Sequence, residues 1–282
     1  MRHSVGADEG CSARPGRRAV LSGLVGGLAV AATSGCQALP EDLGGSSVRV
    51  EKGTISGAGI SGADWVLARP EGDATVPLVL ALHGQGGEAG DIIGGGLRVE
   101  DVLADLIDEG AAPFAVAAVT GGDTYWHPRD DGTDSGRLVT EHLAGRVQEH
   151  AVDTSTVGLI GWSMGGYGSL RLAGELGRSR VAGVAAVSPA LWHSWRDVPD
   201  IAFDDADDYE EYGVAGRQRE LRGIPVRIDC GESDVFYGAT KRYARSLGSG
   251  VETHYGPGDH SLDYWSTGVR SQLEWLGRHL TG

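Results

Sequence analysis

Short strand-like segments separated by helical patterns dominate the chain and restrict the folds open to it. Residues 76–82 and 114–119 form continuous apolar runs, which are typical of strands buried on both faces of a parallel sheet. Between these runs, apolar residues recur at helical spacing, as they do from Val99 to Ile107. Further strand-like segments cover residues 48–50, 65–67, 156–160, 181–187, 226–230 and 251–255. Strands that alternate with helices predict an α/β fold, with a mostly parallel central sheet and helices on both of its faces.

The beginning of the chain has the pattern of an export signal rather than of a folded domain. Arg17-Arg18 ends a basic segment, a short apolar stretch follows over residues 19–33, and Cys36 closes the run Ser-Gly-Cys. Twin arginines before a short apolar stretch are typical of Tat-type signals, and Cys36 is the candidate site of a lipid anchor, with plain secretion as the alternative. We therefore divide the chain into an export signal, a polar tether and a single folded domain, over residues 1–36, 37–46 and 47–282.

Composition argues against several classes of protein. The net charge is −15, and no Lys/Arg cluster follows the leader, whereas nucleic-acid binding depends on a basic face. An acidic surface instead favours neutral or cationic substrates. No later stretch reaches the roughly 18 apolar residues of a membrane span, so we expect membrane contact only through a lipid on Cys36. After the leader, the only other cysteine is Cys230, which leaves no disulfide framework and no cysteine-based zinc site.

One serine lies in a pattern that can carry chemistry. Gly161-Trp162-Ser163-Met164-Gly165 matches G-x-S-x-G, although a chain with 47 glycines in 282 residues can produce this pattern by chance. Its context supports a function, because a strand-like segment precedes it and residues 166–176 can form the helix that follows. Small residues on both sides of the serine suit a tight, strained turn between a strand and a helix. Ser163 is therefore the candidate nucleophile.

A serine nucleophile needs a base, and the base needs an acid that orients it. Asp234 follows the strand-like segment 226–230, and His260 follows the segment 251–255. Both come after Ser163 in the order serine, acid, histidine, and both belong to loops at the carboxyl ends of strands. Glu232 is the second candidate for the acid.

The developing oxyanion needs two N–H donors. The backbone N–H of Met164 opens the helix after Ser163, and the glycine-rich loop His83-Gly84-Gln85-Gly86-Gly87 follows the strand at residues 76–82. Gln85 is therefore our candidate for the second donor. The loop lacks the spacing of a phosphate-binding motif, so a nucleotide site is not expected there.

Taken together, these motifs resemble a known family. His83-Gly84-Gln85-Gly86-Gly87, the segment Gly161 to Gly168, Asp234 and the segment Asp259 to Trp265 are similar to the putative esterase family of α/β-hydrolases. That family includes the esterase D and S-formylglutathione hydrolases, feruloyl esterases and antigen 85 mycolyltransferases. The resemblance implies an α/β-hydrolase fold and a catalytic domain over residues 47–282. It also implies ester hydrolysis or acyl transfer without a cofactor, and it assigns Ser163, Asp234 and His260 as nucleophile, acid and base.

Three tryptophans are candidates for substrate binding, because each lies in or beside a loop that follows a strand: Trp126, Trp162 and Trp192. For the aromatics of the loops, core packing or anchoring of the loop is the alternative. The last of them opens residues 192–222, a connection that is unusually long and rich in acidic residues. A connection of this length can form a lid or a pocket wall, and a solvated acidic excursion is the alternative.

The sequence predicts a serine esterase that hydrolyses carboxylic esters through a Ser-His-Asp triad and an acyl-enzyme intermediate, with no cofactor and no metal. The expected substrate is a small-molecule, glycan or lipid ester. One alternative is an acyltransferase that acts on cell-envelope lipids or glycans. Another is a catalytically inactive surface binding protein on the same scaffold. We expect an exported protein, either a lipoprotein at the cell surface or a secreted protein.

Overall fold

Eight strands form the single sheet of the folded region. The computed structural model describes residues 47–282. The predicted export signal, the tether and Cys36 lie outside the described residues and stay predictions. The strands are β1 (Val48–Gly57), β2 (Ile60–Pro70), β3 (Val76–Leu82), β4 (Ala115–Val119), β5 (Val152–Trp162), β6 (Val181–Val187), β7 (Val226–Gly231) and β8 (Val251–Gly256).

The sheet is parallel except at one end. Its strand order is β1-β2-β4-β3-β5-β6-β7-β8, and β1 and β2 form an antiparallel hairpin that pairs with β4 through β2. The six strands from β3 to β8 run parallel to one another. Strands β3, β4 and β6 are almost entirely buried, as their continuous apolar sequences require. The predicted α/β fold with a mostly parallel sheet is confirmed.

Helices cover both faces of the sheet. The α-helices are α1 (Ala89–Ile92), α2 (Val99–Asp108), α3 (Ser135–Arg137), α4 (Ala144–Val147), α5 (Met164–Leu176), α6 (Ala206–Tyr212), α7 (Tyr237–Leu247) and α8 (Leu262–Thr281). A π-helical turn, Leu138–Leu143, joins α3 to α4, so the helical winding changes along this segment. No helix within residues 47–282 is long and apolar enough to cross a membrane.

The apolar core has two layers, one on each face of the sheet. Side chains of α1, α2 and α8, such as Leu103 and Leu273, pack on one face. Side chains of α5 and α7, such as Leu170 and Tyr243, pack on the other face together with the helical segment around Leu138. This three-layer arrangement leaves the carboxyl ends of the parallel strands free to carry loops, which is where ligands bind in folds of this kind.

The long connection at residues 192–222 folds back onto the protein. It contains α6 and two short 3₁₀ turns, and its Phe203 is buried in the core. The ring of His127 stacks on Phe203 and on Tyr212, with ring centroids 4.8 Å and 5.2 Å apart. Arg129 donates from Nε and Nη2 to Oδ1 of Asp204, at 2.9 Å and 2.7 Å. The connection is therefore anchored to the domain through Phe203, Asp204 and Tyr212, while α6 has no buried residue.

Candidate active site

Three loops at the carboxyl edge of the sheet bring Ser163, His260 and Asp234 together. Ser163 follows β5, Asp234 follows β7 and His260 follows β8. The Oγ atom of Ser163 lies 2.8 Å from Nε2 of His260, and Nδ1 of His260 lies 2.8 Å from Oδ2 of Asp234. In this arrangement the hydroxyl of Ser163 donates to Nε2, and the Nδ1–H group donates to the carboxylate. These are the contacts of a Ser-His-Asp triad.

The backbone at Ser163 is strained and firmly held. Its φ of 57° and ψ of −115° lie in a region that residues with a side chain seldom adopt. The Ser163 N–H donates to the carbonyl of Val187 on the neighbouring strand at 2.9 Å. The Ser163 carbonyl accepts from the N–H groups of Tyr167 and Ala190, each at 3.0 Å. Three hydrogen bonds thus fix a conformation that lifts the side chain out of the sheet edge.

Glycines around Ser163 let three backbone segments approach closely. A Cβ on Gly161 would collide with the carbonyl of Gly165 and lie 2.8 Å from Ser169 Oγ. A Cβ on Gly165 would collide with the carbonyl of Leu82, at the end of β3. Both glycines of the G-x-S-x-G pattern are therefore required by sterics, because the turn is packed between strand and helix with no room for a methyl group.

The carboxylate of Asp234 is buried and accepts a hydrogen bond from His260. Its side chain is fully shielded from solvent, and its Oδ1 accepts from the Phe236 N–H at 2.8 Å. Burial raises the pKa of Asp234, but the hydrogen bonds from His260 and from the Phe236 N–H outweigh it and hold the pKa below the ordinary value. Glu232, the other candidate acid, is exposed to solvent. Of the two candidate acids, Asp234 is therefore the one whose carboxylate contacts His260.

His260 is held by the pairing of the loops that follow β7 and β8. The N–H groups of Glu232 and Ser233 donate to the carbonyls of Gly256 and Gly258, at 2.8 Å and 2.9 Å. The imidazole ring also packs edge-on against Phe236 and Trp265, with both pairs of ring centroids 5.1 Å apart. About a quarter of the His260 side chain, 24%, stays accessible to solvent. The ring is thus fixed in orientation but reachable by water.

The two predicted oxyanion donors, Gln85 and Met164, belong to segments that adjoin Ser163. The backbone N–H groups of Gln85 and Met164 make no hydrogen bond to any group within residues 47–282. The Gln85 loop approaches Ser163 closely, since a Cβ on Gly84 would lie 3.5 Å from Ser163 Cβ. Free N–H groups beside the nucleophile, one of them at the start of α5, suit the stabilisation of a developing negative charge.

A cavity of about 670 Å³ opens over Ser163 and His260. Its wall includes apolar side chains at the mouth, where Val235 is 81% exposed and Leu262 is 45% exposed. Two carboxylates, Asp91 and Asp123, also line it, and none of its lining residues in the described part of the chain is Lys or Arg. The cavity is therefore apolar with a negative side.

The three predicted tryptophans have different environments. Trp162 lines the cavity beneath Ser163. Trp126 is fully buried and packs edge-on against His83, with ring centroids 5.0 Å apart, so it does not line the cavity. Trp192 lines a smaller neighbouring cavity of about 190 Å³ and contacts the back of Tyr125. Trp126 and Trp192 therefore lie outside the wall of the cavity over Ser163, and a role of either in substrate binding stays a prediction.

A left-handed backbone conformation explains why the side chain of Trp126 is buried. Tyr125 and Trp126 have φ values of 53° and 60°, a sharp turn that points Trp126 into the core and places Tyr125 on the cavity wall. Burial, followed by the charge of Asp123, raises the pKa of Tyr125 to about 12. Other wall residues that the sequence did not single out for binding are Asp91, Asp123, Val235, Phe236, Leu262 and Trp265. Of these, Asp123 belongs to the strand-end loop at residues 121–129, and Leu262 and Trp265 belong to the segment Asp259 to Trp265 that carries the family resemblance.

Metal ligation is absent from the described site. Within residues 47–282, no group of three or more His, Cys, Asp or Glu side chains is arranged to hold a metal ion. The side chains that the structure brings together at this site are the Ser163 hydroxyl, the His260 imidazole and the Asp234 carboxylate.

Fold, site and comparisons together define a carboxylic ester hydrolase of the serine hydrolase class. The sequence profile of the family described as Putative esterase matches residues 68–270, and the chain belongs to this family. A comparison with curated proteins gives no match.

Solved structures share the fold. A ferulic acid esterase is 20% identical with a TM-score of 0.70, and the alignment covers 83% of this chain and 99% of the other. An S-formylglutathione hydrolase from Agrobacterium tumefaciens is 17% identical with a TM-score of 0.69, covering 84% and 97%. The fluorophosphonate-binding serine hydrolase F of Staphylococcus aureus is 15% identical with a TM-score of 0.67, covering 82% and 98%. At these identities the likeness shows a shared fold.

The close packing at Gly161 predicts a strong effect of a single methyl group. We expect Gly161→Ala to lower the free energy of unfolding by about 2 kcal/mol or more, because the new Cβ meets the Gly165 carbonyl. Gly145→Ala is the matched control, since no atom lies within 4 Å of a Cβ there and alanine favours a helix. Urea unfolding measures both, and equal stability of the two variants contradicts the steric argument.

Proposed function

We propose that the protein is a serine esterase in which Ser163, His260 and Asp234 form a catalytic triad. The observation that carries this proposal is the unbroken line of hydrogen bonds from Ser163 Oγ through the imidazole to the buried carboxylate, at 2.8 Å and 2.8 Å. The strained turn that exposes Ser163 and the free N–H groups beside it support the same chemistry.

In the first step, Nε2 of His260 takes the proton from Ser163 as Oγ attacks the ester carbonyl. The carbonyl oxygen becomes an oxyanion that accepts from the N–H groups of Gln85 and Met164. The imidazolium, stabilised by Asp234, then gives its proton to the departing alcohol, and an acyl-enzyme remains. Because the pKa of Asp234 is lowered, this residue stays a carboxylate while His260 carries the proton.

In the second step, a water molecule enters from the open side of the cavity. His260 removes a proton from this water, which attacks the acyl carbonyl. The bond between the acyl carbon and Ser163 Oγ then breaks, His260 returns the proton to Oγ, and the acid is released. The solvent-accessible quarter of the His260 side chain, 24%, supports water as the acceptor. Transfer to an alcohol in place of water follows the same steps and gives a new ester.

The triad predicts that Ser163→Ala abolishes hydrolysis. We expect kcat on a short p-nitrophenyl ester to fall by about 10⁴-fold or more, because the acyl-enzyme cannot form. The control is Ser179→Ala, which removes a hydroxyl from an exposed turn after α5 and leaves the rate unchanged. A fluorophosphonate probe labels the wild-type protein and the control but not Ser163→Ala.

The same assay decides between the candidate functions. Full activity of Ser163→Ala rejects the triad, and a wild-type protein that neither hydrolyses esters nor takes up the probe is an inactive scaffold. Addition of glycerol or a sugar as an acyl acceptor detects transfer, since a new ester accumulates while the release of p-nitrophenol continues.

The carboxylates of the cavity predict discrimination by substrate charge. Asp91 and Asp123 line the wall, and no Lys or Arg lining the cavity within residues 47–282 balances them. We expect kcat/KM for mono-p-nitrophenyl adipate to be about 10-fold below that for p-nitrophenyl hexanoate at low ionic strength. The two esters differ by a carboxylate in place of the terminal methyl group. At about 1 M salt the difference should shrink, because exposed charges are screened. An equal or higher rate for the anionic ester contradicts an electrostatic preference.

We further propose that the enzyme acts outside the cytoplasm as a lipid-anchored protein. The support is in the sequence, where twin arginines and an apolar stretch precede Cys36. Cys36→Ser should move the protein from the membrane fraction to the soluble exported fraction of cells that express the full chain. An unchanged distribution rejects lipidation, and a protein retained in the cytoplasm rejects export.

A further inference from the structure

The loop that follows β4 contacts the glycine-rich loop at residues 83–87, here called the oxyanion loop, at three points. Strands β3 and β4 are adjacent and parallel, so their following loops emerge side by side. Gly121 donates its N–H to Nε2 of His83 at 2.9 Å, and the Tyr125 hydroxyl donates to Oε1 of Gln85 at 3.2 Å. The third contact is the shortest, because the Gly86 N–H donates to Oδ1 of Asp123 at 2.6 Å.

The oxyanion loop contains a four-residue turn that starts at Gly84 and ends at Gly87. The Gly87 N–H donates to the Gly84 carbonyl at 3.0 Å, which closes the turn. Nδ1 of His83 donates to the same carbonyl at 2.7 Å. Since a peptide bond is planar and trans, these two donors also fix the direction of the Gln85 N–H, which points away from the carbonyl of the same peptide group.

The central peptide group of this turn has two possible orientations. Gly86 has a φ of 70°, the conformation that a type II turn needs at its third residue, and a Cβ there would meet nothing within 4 Å. Packing therefore does not decide the orientation. A flip of the central peptide would turn the Gln85 carbonyl oxygen toward the position now taken by the Gly86 N–H. That oxygen would face the carboxylate of Asp123, which repels it. Asp123 therefore fixes the Gln85–Gly86 peptide and ties this side of the turn to the loop after β4, while Gly87 and His83 hold the peptide that carries the Gln85 N–H.

We propose that Asp123 is a positioning residue that anchors the turn Gly84–Gly87 to the loop after β4, so that the Gln85 N–H lies within reach of the reacting carbonyl oxygen. This inference rests on the proposed esterase function. Asp123 acts on the transition state through Gly86 and Gln85, and it need not touch the substrate. Its hydrogen bond to a backbone N–H, rather than its charge, is the feature that matters for the rate.

Two substitutions separate the hydrogen bond from the charge. Asp123→Asn keeps an oxygen that can accept from the Gly86 N–H, whereas Asp123→Ala removes the acceptor. We expect Asp123→Ala to lower kcat by about 10-fold to 100-fold with KM within about 3-fold of wild type, since complete loss of one oxyanion donor costs about 10² to 10³ in kcat. Asp123→Asn should keep kcat within about 3-fold, and the substrate is p-nitrophenyl hexanoate because it is neutral.

The inhibition constant of a transition-state analogue measures how well the protein binds the oxyanion, and a loss of protein stability alone does not change it. A trifluoromethyl ketone adds to Ser163 and places its oxyanion where the carbonyl oxygen of the ester would lie. We expect its inhibition constant to rise for Asp123→Ala in proportion to the loss of kcat/KM and to stay near wild type for Asp123→Asn. Asp153→Ala is the matched control, because Asp153 also accepts from a backbone N–H, that of Ser155 at 2.8 Å, at the opposite end of β5.

Several results would overturn this role. A kcat within 3-fold of wild type for Asp123→Ala shows that the turn holds itself. An equal loss in both variants shows that charge, not the hydrogen bond, matters, and a rise in KM alone indicates contact with the substrate. If Asp123→Ala does not fold, a loss of kcat in Asp123→Asn with the inhibition constant unchanged still rejects the proposal. These comparisons are made only where wild type hydrolyses the ester and Ser163→Ala does not, so failure of the esterase function is seen separately.

Discussion

The backbone of Ser163 lies in a conformation that costs on the order of 1–3 kcal/mol, and the surrounding sheet supplies what keeps it there. Its N–H and carbonyl bond to Val187 on β6 and to Tyr167 and Ala190. The turn can be this tight only because Gly161 and Gly165 let strand, helix and the end of β3 come into contact. A local strain at one residue is thus maintained by two neighbouring strands and a helix. The nucleophile depends on the whole parallel sheet rather than on the five-residue pattern alone.

The other two members of the triad depend on the same sheet in a different way. Asp234 and His260 follow adjacent parallel strands, and the hydrogen bonds between their loops set the distance between the two side chains. Beneath them, the buried pair Arg227 and Asp229 makes two contacts of 2.8 Å, and Gln272 of α8 donates to the same carboxylate at 2.7 Å. These contacts fix β7 against α8. The acid and the base are therefore placed by long-range packing, which a sequence motif cannot show.

The sequence was sufficient for the features that depend on periodicity and chain order. Continuous apolar runs predict the parallel strands, and the order Ser163, Asp234, His260 after three strand ends predicts which loops meet, because parallel strands place their carboxyl ends on one edge. It was insufficient where a side chain's direction depends on a single backbone angle. Trp126 and Tyr125 are adjacent aromatics in the same loop, and only the left-handed backbone at both decides that the first is core and the second is cavity wall.

The loop at residues 121–129 connects the long connection at residues 192–222 to the active site, although the long connection does not line the cavity. At one end of the loop, Asp123 and Tyr125 bond to the turn that carries the Gln85 N–H. At the other end, Arg129 bonds to Asp204, and His127 is stacked between two rings of the long connection. Two consecutive strained residues between these ends persist only if both ends are held. The long connection therefore packs against the end of this loop that lies away from the turn carrying the Gln85 N–H.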